Sequence, residues 1–172
     1  MKKSTRKLAR TKPSPDASLR RQLVALLKGG NAHVGLADAL ADIPSRKRGA
    51  YAKGLPHTAW QLLEHLRIAQ WDILEFSRNA KYVSPDFPEG YWPKTPSPPS
   101  DSAWLKSVKS LRNDLATLIR MVANPKNNLN AAFPWGSGQT LLREALLLAD
   151  HNAYHVAQLV DLRRALGIWP ES

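Results

Sequence analysis

Prolines and glycines cut this chain into four long stretches, each with apolar residues at helical spacing, and that pattern leaves little room for anything but an all-helical fold. The first stretch, LRRQLVALLK, puts Leu19, Leu23, Leu26 and Leu27 on one face, with Asp16 or Ser18 as candidate N-cap. Gly29-Gly30 break it, the pattern resumes through Val34, Leu36, Leu40 and Ile43, and Pro44 stops it. After the polar loop SRKRGAYAKGLPH, Thr58 is placed to cap the second long helix, TAWQLLEHLRIAQWDILEFSRN. Asp101 or Ser102 caps the third, AWLKSVKSLRNDLATLIRMVAN, which Pro125 ends. Ser137 is the candidate cap of the fourth, QTLLREALLLADHNAYHVAQLVDLRRALG, which Gly167 stops. No run alternates with period two and no internal repeat is visible. Four amphipathic helices that must hide their apolar faces predict an all-α four-helix bundle.

Between the second and third helices lies YVSPDFPEGYWPKTPSPPSD, which holds six of the thirteen prolines together with Tyr82, Phe87, Tyr91 and Trp92. It is too rich in proline for a helix or central strand and too aromatic for a free linker. It is expected to be an ordered loop, with residues 82–99 bordering a pocket. The chain is 172 residues long, enough for one domain with its own core, and has no cysteine. Disulfides, cysteine nucleophiles, thiolate zinc sites and iron–sulfur clusters are thereby excluded. No apolar run is long enough to span a bilayer and no apolar stretch follows the basic N-terminus, so a cytoplasmic protein without membrane insertion is expected. The net charge is +11, and six of the positive side chains fall in the first twelve residues, MKKSTRKLARTK. Without aromatic interleaving for base stacking, this reads as a solvated, disordered tail over residues 1–15 rather than a nucleic-acid-binding arm. Residues 16–172 then form the helical domain.

Chemistry is concentrated in the histidines. His151 and His155 are four residues apart, about 40° on a helical wheel, and so one turn apart on one face. That face also carries Leu147, Leu148, Gln158, Leu159, Leu162 and Leu166, the stripe expected to face the core. His65 on the second helix keeps similar company in Leu62, Ile68, Ala69, Ile73 and Phe76. A buried imidazole needs a partner. The residues alone admit two answers: hydrogen-bonded structural histidines, or a shared metal ion near one end of the bundle core. The segment HNAYH has an amide where the zinc-protease motif HExxH has its glutamate, so it is not that motif. No Ser–His–Asp arrangement, phosphate-binding glycine loop or dinucleotide motif occurs. Asp72 and Glu144 are the acids closest to the ligand direction, each two turns away, and are candidates for proton transfer or substrate contact. Gln158 and Tyr154 flank the histidines and are expected to hydrogen-bond them, whereas His33 and His57 read as helix-end or loop residues. Trp60, Trp71, Trp104 and Trp169 read as core or interface anchors.

The stretches WQLLEHLRIAQWDILEF and TLLREALLLADHNAYHVAQLVDLRRALG resemble the DinB/YfiT-like superfamily of four-helix metal proteins, a likeness covering most of residues 17–169. The resemblance implies that His65, His151 and His155 bind one divalent metal ion (Zn, Ni, Fe or Mn). It implies a homodimer acting on a small molecule, most directly by thiol-dependent S-transfer with a low-molecular-weight thiol. A metal-dependent hydrolase is the first alternative. A non-enzymatic protein with a structural metal, whose basic tail meets nucleic acid, is the second.

Overall fold

The computed structural model describes residues 14–170; the basic tail up to residue 13 and the last two residues lie outside the described part. The described residues form five α-helices and two 3-10 turns, with no strand and only an isolated bridge between Ala132 and Thr140. The helices are α1 (Pro15–Lys28), α2 (Leu36–Leu40), α3 (Ala59–Arg78), α4 (Asp101–Ala123) and α5 (Leu141–Ala165). No helix among the described residues is long and apolar enough to cross a membrane.

The helix boundaries follow capping chemistry, though not always at the expected residue. Thr58 caps α3 through a reciprocal capping box with Gln61. Helix α1 is capped by Ser14 rather than Asp16 or Ser18, because Pro15 takes the first helical position and Asp16 sits in the first turn. Ser100, one residue before the expected pair, caps α4. Helix α5 begins three residues later than Ser137 would require. The Gln139 carbonyl instead accepts from the Phe133 amide at 2.8 Å, and the Thr140 side chain accepts from the Arg143 amide. Gly29 and Gly30, with φ of +69° and +73°, turn the chain out of α1 at a conformation that other residues rarely adopt. The resumed apolar pattern after them becomes the short α2.

Helix α3 packs on α4 and α5, α1 packs on the same two helices, and α2 rests on α5. The apolar residues gather in two clusters. One contains Leu62, Leu63, Leu66, Trp104, Leu111, Val156 and Leu159. The other contains Leu23, Leu27, Ile73, Leu118, Val122, Leu141 and Leu148. Two buried arginines join helix ends to the body. Arg20 donates to Asp16 and to the carbonyls of Val122, Asn124 and Asn127, where α4 terminates. Arg163 donates to the carbonyls of Asp38 and Ala39 in α2 and lies over the Trp169 ring. Of the tryptophans, Trp60 and Trp104 are core residues, Trp71 is exposed, and Trp169 lies beyond α5, not on a helix.

The aromatic, proline-rich segment is ordered and tied along a single stripe of α3. Thr58 donates to the Pro96 carbonyl at 2.6 Å, His65 to the Tyr91 carbonyl at 2.9 Å, and the Tyr91 hydroxyl to Asp72 at 2.7 Å. Residues 58, 65 and 72 are seven apart, two helical turns each, so they line up on one face. The segment therefore runs antiparallel to α3 and brings Tyr91 and Trp92 over His65.

Candidate metal centre

His65 comes from α3 and His151 and His155 come from α5, and their ligating atoms all lie within 4.8 Å of one another. The three rings are mutually adjacent: His65 is 5.0 Å from His151 and 4.5 Å from His155 by ring centroids, and His151 is 4.5 Å from His155. Helical spacing explains the α5 pair. The α3–α5 packing explains the third. The group lies at the junction of the two apolar clusters, with Leu148 and Ala149 on one side and Val156 and Leu159 on the other. On α3, His65 lies among residues of the first cluster, Leu62, Leu63 and Leu66.

Hydrogen bonding fixes two of the rings. A carbonyl only accepts, so His65 carries its proton on Nδ1, toward Tyr91, and its Nε2 offers a lone pair. His155 points Nδ1 at the Gln158 side-chain oxygen, 2.7 Å away, which leaves its Nε2 free as well. The Nε2 of His151 lies 3.1 Å from that of His65, while its Nδ1 is buried with no partner. Two lone pairs cannot face each other at that distance, so either a proton or a cation lies between them. Three uncharged nitrogens converging from two helices fit a borderline divalent ion of the zinc or nickel type.

Electrostatics keep the rings uncharged. Burial pushes His151 down to about 4, and positive charge on His155 or His65 would push the same way. Burial lowers His65 and His155 too, opposed by the hydrogen bonds to Tyr91 and Gln158. Neutral imidazole is the ligating form, so lowered values in all three rings are compatible with metal binding at neutral pH.

The remaining expected residues fall unevenly. Gln158 bonds His155, as expected, and Tyr154 sets its ring edge against His155 at 5.0 Å while staying exposed. Asp72 is engaged by the Tyr91 hydroxyl, so it holds the aromatic segment rather than joining the converging nitrogens. Its charge, after burial, also helps push the Tyr82 phenol up to about 12. Glu144 is buried, ion-paired with Arg143 at 2.6 Å, and flanked in sequence by core residues of the second cluster. Leu147, expected to face the core, is 38% exposed, because a wheel gives direction but not which sectors a neighbour covers.

Three contributors escaped the sequence reading. Trp92 stacks on His65 at 3.9 Å and 5°, and on His57 at 4.1 Å, so His57 belongs to the site's surroundings rather than to an isolated loop. Tyr91 acts through its backbone carbonyl, which no residue pattern marks. Asn152, next to His151, is buried with its side-chain oxygen unpartnered. The only signal for the first two was the density of aromatics in a proline-rich segment. A cavity beside His57 and Gln158 measures about 50 Å³, room for water rather than substrate.

No family model, curated protein or solved structure matches this chain.

Proposed function

We propose that the chain is a metal-dependent enzyme on a four-helix bundle of the DinB/YfiT-like kind. In this reading His65, His151 and His155 hold one divalent ion (Zn, Ni, Fe or Mn), and the protein catalyses thiol-dependent S-transfer to a small molecule. One observation carries the reading: three uncharged imidazoles from two helices bring their ligating atoms within 4.8 Å. A divalent ion so held supplies Lewis acidity, lowering the pKa of a thiol or water that reaches it. The chain's own part is positional. Tyr91 and Gln158 hold His65 and His155 in the ligating tautomer, and Trp92 covers one face of His65.

The donor set carries no negative charge, which favours an anionic incoming group. The chain has no cysteine, so a thiol must come from outside. Hydrolysis asks more of the protein, namely a base beside the attacking water, and no carboxylate joins the converging histidine nitrogens. A homodimer and a cytoplasmic setting, where small thiols stay reduced, belong to the same proposal.

The test begins with metal content. Purified protein should carry about one divalent ion per chain, and His155→Ala should lose most of it. Cobalt-substituted protein titrated with low-molecular-weight thiols should develop a sulfur-to-cobalt charge-transfer band. A metal-free wild type defeats the metal. A loaded protein with no such band, but with thiol-independent turnover of esters or amides, replaces the transferase by a hydrolase.

A further inference from the structure

His65 and His155 each have an identified acceptor for Nδ1–H, but His151 does not, and this gap sits beside a second one. The buried side-chain atoms without a partner include His151 Nδ1 and Asn152 Oδ1, on consecutive residues of α5. One is a nitrogen that either donates or accepts according to tautomer, and the other is an oxygen that only accepts. Asn152 as a whole is 8% exposed, and a buried amide oxygen ordinarily has a donor.

The tautomer of His151 connects the two. His65 Nε2 is a lone pair, because its Nδ1–H is committed to Tyr91. The 3.1 Å contact from His151 Nε2 is then attractive only if His151 carries its proton on Nε2. That leaves His151 Nδ1 as an unserved acceptor beside another unserved acceptor. Binding a cation through Nε2 requires the other tautomer, with the proton on Nδ1. In that form His151 gains a donor, and Asn152 is the neighbouring acceptor with nothing else to bind. Asn152 also borders a cavity of about 210 Å³ lined by Leu27, Leu115 and Val156, so its amide has room to turn.

We infer that Asn152 is the positioning residue for His151, its side-chain oxygen accepting the Nδ1–H that His151 carries when Nε2 faces a metal ion. The inference rests on the metal reading above and adds to it. With Asn152 in place, the three histidines are held by a backbone carbonyl and two amide oxygens, none of them charged. Such a surround orients the rings without offsetting the ion's charge, unlike the carboxylates that commonly fill this role.

Two measurements test it. Long-range proton–nitrogen NMR of the histidine side chains, on the full chain with and without zinc, should find His151 protonated at Nε2 in the metal-free protein and at Nδ1 when zinc is bound. Cobalt affinity should fall about 10- to 100-fold in Asn152→Ala and recover in Asn152→Asp, which restores an acceptor. His151 keeping its Nε2 proton with zinc bound overturns the inference, even if Asn152→Ala does not fold. So does an Asn152→Ala protein that binds cobalt within twofold of wild type. If wild type itself binds neither cobalt nor zinc, the metal reading falls and takes this inference with it, an outcome distinct from the other two.

Discussion

Arg20 and the histidine group bring polar atoms into the interior on opposite principles. Arg20 is 7% exposed and spends its guanidinium on Asp16 and on three carbonyls at the end of α4. The histidine group is half-buried to buried, yet it leaves His151 Nδ1 and the neighbouring Asn152 Oδ1 with no partner. An unmade hydrogen bond in the interior costs about 1–3 kcal/mol, so the second arrangement is not what stability alone would select. The contrast teaches how to read the interior. A polar group whose needs are met by its own chain is holding the fold together. An unmet need counts toward a ligand only where it adjoins converging nitrogens, as at His151; Trp60 Nε1, Gln70 Oε1 and Arg163 Nε are unpartnered too and belong to no such group.

The sharpest way to break the comparison is at Arg20. Arg20→Ala should destabilise by about 3 kcal/mol, since it strands three carbonyls and removes a buried charge-assisted network. Metal affinity should stay within about twofold. Thermal unfolding and cobalt titration of the same sample check both halves, and a large loss of metal binding would mean that the two centres are coupled.

A smaller effect of opposite sign is expected at His151. Replacing it with Leu removes a ring whose buried Nδ1 is unpartnered, so metal-free protein should gain about 1 kcal/mol while losing the metal. The same variant should change the pH response. The native pKa of His151 lies near 4, below that of an unfolded histidine, so the unfolded chain takes up protons that the native ring refuses. Stability from this source is complete above about pH 6.5 and declines as pH falls toward 4. Melting of the metal-free protein across that range should show the decline in wild type and a shallower one in His151→Leu. Equal slopes would place the burden on other groups.

The smallest effect belongs to the latch. Tyr91→Phe removes the hydroxyl bonded to Asp72 but keeps the carbonyl that holds His65. It should cost about 1 kcal/mol of stability and only a few-fold in cobalt affinity. A loss as large as that of His155→Ala would show that the latch, not the carbonyl, sets the ring.

The sequence by itself determined the all-helical class of fold and singled out the three histidines that the structure brings together. Helical periodicity, Thr58 as a cap and the His151–His155 spacing are local properties, decided within a turn or two of chain. His65 could be picked out for the same reason, from the apolar neighbours on its own helix face. Tertiary structure alone decided what surrounds those rings. The Tyr91 carbonyl belongs to the backbone and carries no sequence signature, and it reaches His65 only because the segment after α3 doubles back along the stripe of Thr58, His65 and Asp72. Trp92 and His57 are 27 and 8 residues from His65, distances that no periodicity relates. Glu144 and Asp72 illustrate the same limit from the other side. Both point along the ligand direction on a wheel, but a wheel has no neighbours, and what each carboxylate does is set by the Arg143 or Tyr91 that packing puts beside it.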